Sequence, residues 1–122
     1  MSKKTVIVGS TPRPYRYAHQ AATMLDERNI PFIPLGIQAG QVLGRDILNV
    51  HDKPQIEEVD TLTMYINPDR QKDWYEYLLS LNPRRIIFNP GSENYEFKQV
   101  AESRGIECLE ACTLVMLSVG NF

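Results

Sequence analysis

Thr5-Val6-Ile7-Val8-Gly9-Ser10-Thr11 is the stretch on which the reading of this chain turns. Four apolar or β-branched residues in a row, halted by glycine and two hydroxyl side chains, describe a strand buried on both faces that ends in a tight bend. The residues that follow change period. Ala18, Ala21, Ala22 and Leu25 recur at i, i+3, i+4 and i+7, which puts them on one face of a helix ending near Asn29. Phe32-Ile33-Pro34-Leu35 then starts a second apolar run that stops at Gly36, although Pro31 and Pro34 each remove a backbone donor. Strand, helix and strand in this order predict a parallel sheet with crossover helices.

The same alternation resumes further on. Leu62 to Ile66 reads as a strand ended by Asn67-Pro68, with Asp69 placed to cap a helix whose stripe is Trp74, Tyr77, Leu78 and Leu81. Ile86-Ile87-Phe88 is the next strand, closed by Asn89-Pro90-Gly91. Phe97, Val100 and Ala101 mark another helix that stops at Gly105. Ile106 to Leu109 makes a last strand, and Leu114 to Val119 a closing helix. Residues 37–59 carry a weaker pattern. Val42-Leu43-Gly44 and Asp46-Ile47-Leu48 fit a short third strand, and Glu57-Glu58-Val59 fits a brief helix. The expectation is a three-layer, doubly wound α/β domain of Rossmann-like design over residues 1–122, with a mostly parallel sheet of about five or six strands. Flavodoxin-like strand order is the nearest alternative.

Composition narrows the function classes. A chain of 122 residues with 43% hydrophobic and 23% charged residues is ordinary for one globular core. A formal charge of −2 offers no global field for nucleic acid or an anionic membrane. The apolar stretch after Met1-Ser2-Lys3-Lys4 is shorter than a signal peptide or a membrane span requires, and Cys108 and Cys112 suggest neither a disulfide framework nor a zinc site. A cytoplasmic protein with reduced thiols and no metal is expected.

In open parallel sheets, ligands occupy the crevice beyond the carboxyl ends of the strands. The turn residues expected there are Gly9-Ser10-Thr11, Gly36-Ile37, Asn67-Pro68 and Asn89-Pro90-Gly91. The first loop carries the chemistry: Gly9 permits close backbone approach, Ser10 and Thr11 bring hydroxyls, and Arg13 and Arg16 bring guanidinium forks suited to phosphate. The competing reading makes Ser10 or Thr11 a helix cap and leaves both arginines in solvent. Glu93 and Asn94 fit either a helix cap or a ligand contact. The loop lacks the second and third glycines of a G-x-G-x-x-G fingerprint, and Gly36 stands where a ribose-binding acid belongs, so a nicotinamide dehydrogenase is disfavoured. A phosphate-binding G-x-x-x-x-G-K-[ST] loop and a strand-end aspartate cluster are absent too. No catalytic constellation stands out. His19 and His51 have no paired nucleophile, and Cys112, just before the last helix, is a weak candidate for a reactive thiol.

Val6-Ile7-Val8-Gly9-Ser10-Thr11, Arg16-Tyr17-Ala18, Tyr65-Ile66-Asn67-Pro68, Asn89-Pro90-Gly91-Ser92-Glu93-Asn94 and the late Cys112 follow one another as in a known family. The chain resembles the small stand-alone CoA-binding proteins, relatives of the CoA-binding domain in the alpha subunit of succinyl-CoA synthetase. That resemblance implies a Rossmann-like fold holding coenzyme A, with the diphosphate over Gly9, Ser10 and Thr11, Arg13, Arg16 and Tyr17 close by, and Asn67-Pro68 and Pro90-Gly91 as walls. Family members often carry Asn-Pro and a basic residue after the second strand, whereas Leu35 here is followed by Gly36-Ile37-Gln38. They often carry Arg before the late cysteine, where this chain has Ala111.

The leading expectation is a non-catalytic binder of CoA, an acyl-CoA or a related nucleotide, serving as carrier, sensor or partner module. A thiol-dependent redox or acyl-transfer enzyme using Cys112 is the alternative. A Rossmann domain that has become an interaction surface is the third.

Overall fold

A computed structural model describes residues 3–122. Its elements run β1 (Thr5–Val8), α1 (Tyr17–Glu27), β2 (Phe32–Gly36), β3 (Gln41–Val42), β4 (Arg45–Asp46), β5 (Leu48–Asn49), β6 (Thr61–Met64), α2 (Pro68–Gln71), α3 (Tyr75–Ser80), β7 (Arg85–Phe88), α4 (Tyr95–Ser103), β8 (Glu107–Glu110) and α5 (Thr113–Val119). Six strands form one parallel sheet in the order β5-β2-β1-β6-β7-β8. Counting only strands of that sheet, this is the Rossmann order 3-2-1-4-5-6, which sets aside the flavodoxin-like order. The chain reverses its direction of travel across the sheet between β1 and β6, and that reversal opens a crevice above them.

The strands are apolar on both faces because both faces are covered. Val6, Val8, Leu62, Met64, Ile86 and Phe88 pack on one side with Trp74, Leu78 and Phe97. Ile7 and Ile87 pack on the other with Ala18, Ala22, Leu25, Met116 and Leu117. Ala18, Ala21, Ala22 and Leu25, the stripe expected of the first helix, are all buried on α1. Cutting Leu25 back to alanine would cost about 3 kcal/mol, the usual figure for a fully buried leucine. Among the described residues no helix is long and apolar enough to cross a membrane.

Pro34 is accommodated by the direction in which β2 faces. The Leu35 carbonyl accepts from the β1 side, so the alternate residue Pro34 turns its missing N–H away from β1. Pairing with β5 on that side involves only Leu35 and Gly36.

Three local expectations are corrected. The third strand of the sheet is only Leu48–Asn49, while Gln41–Val42 and Arg45–Asp46 form a separate antiparallel hairpin. No helix forms at Glu57-Glu58-Val59: Ile56 and Val59 are drawn into the core, and Glu58 sits at φ 58 in the left-handed region, which interrupts any helical run. The cap of the helix after β6 is Asn67, whose Oδ1 accepts from Arg70 N at 3.0 Å, and not Asp69. Pro68 needs no N–H acceptor at the first helical position. A 3₁₀ turn at Lys72–Trp74 then splits the expected single helix into α2 and α3.

Candidate functional site

The loops leaving β1, β2, β6 and β7 enclose a cleft of about 500 Å³ at the carboxyl edge of the sheet. Its floor is the bend after β1. Gly9 adopts φ +95, and a Cβ there would lie 2.6 Å from Ile66 Cγ2 and 3.0 Å from the Tyr65 carbonyl, so only glycine lets the two loops touch. Gly36 solves the same problem from the other side, since its Cβ would come within 2.9 Å of the Ser10 carbonyl oxygen.

That close packing consumes donors the sequence left open. Gly9 N–H and Ser10 N–H both donate to the Leu35 carbonyl, at 2.8 and 3.0 Å, and Ser10 Oγ donates to the Ile7 carbonyl at 2.8 Å. The expected cradle of bend amides is thus largely spent inside the protein. Neither hydroxyl caps α1, which begins only at Tyr17 with Arg16 as an N-cap whose side chain makes no capping bond. The first turn of α1 therefore keeps open N–H groups at Tyr17 and Ala18, both of which line the cleft, as does Thr11. The partial positive charge of an 11-residue helix stands behind them.

Arg13, Arg16 and Arg70 line the same cleft, and none of them forms an ion pair among the described residues. Three uncompensated guanidinium groups around one concavity concentrate positive potential in a chain whose net charge is −2. Opposite them, Asn67, Pro90 and Gly91 supply the far walls. Tyr65 lies between, its hydroxyl buried without a hydrogen-bond partner beside Thr63 and Thr113, whose hydroxyls bond each other at 2.8 Å. Burial pushes the Tyr65 hydroxyl up to about 12, so it stays protonated at any physiological pH.

Of the residues expected in the ligand set, Gly9, Ser10, Thr11, Arg13, Arg16, Tyr17, Asn67, Pro90 and Gly91 converge on this cleft. Gly36, Pro68, Asn89 and Asn94 do not line it, each for a visible reason. Gly36 is buried beneath the β1 bend. Pro68 is exposed at the start of α2. Asn89 is buried, donating through Nδ2 to Thr63 Oγ1 and the Met64 carbonyl at 2.7 and 2.9 Å and accepting from Thr113 N at 2.8 Å, which ties β6, β7 and α5 together. Asn94 caps α4, accepting from Phe97 N at 3.0 Å, while its Nδ2 bonds Tyr75 Oη at 2.6 Å.

The sequence reading missed Arg70, Gln38 and Ser92. Gln38 falls in the stretch of weakest pattern, and Ser92 lies inside a turn-rich run. Arg70 has a usable signal, a cation three residues after the Asn that caps α2. Cys112 lies outside the lining, half-buried at the N-cap of α5. Cys108 sits on β8, and burial pushes its thiol up to about 11.

Similarity to other proteins agrees with this fold. The chain aligns along its whole length with a crystal structure of an uncharacterized protein at 51% identity, covering 99% of that chain with a TM-score of 0.96. A Thermus thermophilus protein superposes at a TM-score of 0.84 with 23% identity, covering 99% of this chain and 91% of its own. A hypothetical protein from Pyrococcus horikoshii OT3 superposes at 0.83 with 20% identity, covering 97% and 83%. At those identities the last two share the fold and carry no more. No curated protein matches the chain. Residues 3–118 match the profile of the CoA binding domain, and with nearly the entire chain inside that match, this protein belongs to the CoA-binding-domain family.

Proposed function

We propose that the cleft binds coenzyme A or an acyl-CoA, and that the chain works as a single CoA-binding Rossmann-like domain, a carrier, sensor or partner module without chemistry of its own. The observation that carries this reading is the meeting of three unpaired arginines with the open first turn of α1 in one cleft at the reversal of strand order. A diphosphate suits that set: it accepts N–H bonds from Thr11 and the helix terminus, and guanidinium forks from Arg13 and Arg16. The Gly9–Ser10 bend serves to bring these groups close, its own amides being engaged with Leu35. Pro90 and Gly91 offer an opposite wall with little side-chain bulk, fit for the pantetheine arm.

The end of β2 supports a finer expectation. Gln38 is the polar cleft residue there, and Arg45, the cation nearest to it in sequence, stacks 4.1 Å from the Phe32 ring centroid and faces Asp26. A neutral amide reads a ribose hydroxyl as readily as a phosphate, so removal of the 3′-phosphate is expected to weaken binding only a few-fold. Cys112 is not among the residues that line this cleft, so the lining favours binding over thiol chemistry.

Calorimetric titration tests the reading. CoA and its 3′-dephospho analogue are both expected to give one-site isotherms. Heats no larger than dilution at millimolar CoA would overturn the proposal.

A further inference from the structure

We propose that Gln71 is a positioning residue that holds the two walls of the cleft at a fixed separation. The walls hang from neighbouring strands. One leaves β6 through Ile66 and Asn67, and the other leaves β7 through Pro90 to Ser92. Strand pairing between them ends at Met64 and Phe88, and beyond that pair no backbone hydrogen bond crosses from one wall to the other among the described residues. The gap is bridged by side chains, and Gln71 is central to the bridge. It is 0% exposed, on a four-residue helix at the surface, an unusual place to bury an amide completely.

Its bonding explains the burial. Nε2 donates to the Ile66 carbonyl at 2.9 Å and to the Ser92 carbonyl at 2.7 Å, one on each wall. Oε1 accepts from Asn94 Nδ2 at 3.1 Å, and Asn94 also meets Tyr75 Oη. Both amide hydrogens and one lone pair of Gln71 are therefore used, and two carbonyls, one buried and one partly buried, depend on it. A side chain of equal length without donors would fill the space yet leave those carbonyls unpaired, so each wall would turn toward water. Preorganised walls bind more tightly because ordering them costs nothing at the moment of association.

The affinity arm of the test rests on the CoA reading; the exchange arm does not. Gln71→Met keeps the length and removes both donors. In ligand-free protein, native-state hydrogen exchange is expected to speed at least tenfold at the Arg70 and Ser92 amides, with β1 and β2 amides unchanged. With CoA as probe, the dissociation constant is expected to rise at least fivefold. Leu117→Ala, packed on the opposite face of the sheet, serves as a control for general loosening. A smaller acceleration in Gln71→Met, or equal acceleration in Leu117→Ala, overturns the proposal, as does a smaller affinity loss in protein that binds CoA. If wild-type protein binds no CoA, the functional reading falls and exchange alone decides the clamp. Should Gln71→Met not fold, Gln71→Glu replaces it: its exchange rates relative to wild type are expected to fall back toward unity as acid restores one donor, and a pH-independent ratio would overturn the clamp.

Discussion

At the amino edge of the sheet Arg84 meets Asp60 at 2.9 Å and Glu107 at 3.7 Å, whereas at the carboxyl edge Arg13, Arg16 and Arg70 face a cleft and form no ion pair among the described residues. The amino edge goes further in satisfying its charges. Arg85, only 5% exposed, donates to Thr61 Oγ1 at 2.8 Å and to the Phe122 carbonyl at 3.1 Å, and lies 4.4 Å from the centroid of the Phe122 ring. The same residue type thus closes one end of the sheet and leaves the other open. The difference teaches where stability and the proposed recognition divide: Arg84 and Arg85 hold the fold through protein partners, and Arg13, Arg16 and Arg70, on the reading proposed above, meet an anion.

The strongest way to break this contrast is to remove cations from the open edge. Arg13→Ala combined with Arg16→Ala is expected to weaken CoA binding by at least roughly 100-fold, since charge-assisted hydrogen bonds contribute about 1.5–3 kcal/mol each. Thermal stability should stay level, because neither side chain has a hydrogen-bond or ion-pair partner to lose among the described residues. A double variant that binds as wild type, or that unfolds several degrees earlier, would erase the distinction between the edges.

The converse experiment belongs to the closed edge. Arg85→Met removes one donor each from Thr61 Oγ1 and the Phe122 carbonyl, which keep Asp60 and Lys3 as their other partners, and at about 1 kcal/mol per lost bond is expected to cost about 2 kcal/mol in urea unfolding. CoA affinity should remain within twofold. A loss of affinity matching the loss of stability would show that the two edges are coupled.

The smallest effect concerns acid. Burial by itself raises the Asp60 carboxyl, but hydrogen bonds from Arg84 and Thr61 and the nearby charges of Arg84 and Arg85 outweigh it and hold the group below 3.8. A carboxylate whose folded value is depressed contributes stability that is complete above its unfolded value and is lost as pH falls through the folded one. Asp60→Asn is therefore expected to cost less than about 1 kcal/mol at neutral pH, as befits a partly exposed pair. The gap to wild type should narrow below about pH 4. A gap that widened in acid would reverse the sign of the assignment.

How much of this was legible in sequence depends on the size of the signal each element leaves. Ala18, Ala21, Ala22 and Leu25 announce α1 because burial of one face imposes a period on four residues at once. Val6-Ile7-Val8 and Ile86-Ile87-Phe88 announce buried strands because both faces are covered. Leu48–Asn49 leaves no such mark, since two paired residues are too few to show a pattern, and the third strand was hidden beside the β3–β4 hairpin. In the cleft, the glycine bend and its arginines were visible as residue types. What the bend amides bond to was not, because Leu35 reaches them from a strand that is distant in the chain. Asn89 and Asn94 look like turn residues in sequence and prove to be tied into the protein, and Gln71 gives no apolar signature although it is fully buried.

The central claim is that an anion is met by the first turn of α1 and its arginines, with Gly9 and Ser10 serving only as the floor. Amide-resolved NMR of the wild-type protein titrated with CoA tests this most directly. The account predicts saturable shifts largest at Thr11, Tyr17 and Ala18, accompanied by the Arg13 and Arg16 side chains. Shifts absent at millimolar CoA, or centred on a surface away from the α1 terminus, would contradict it.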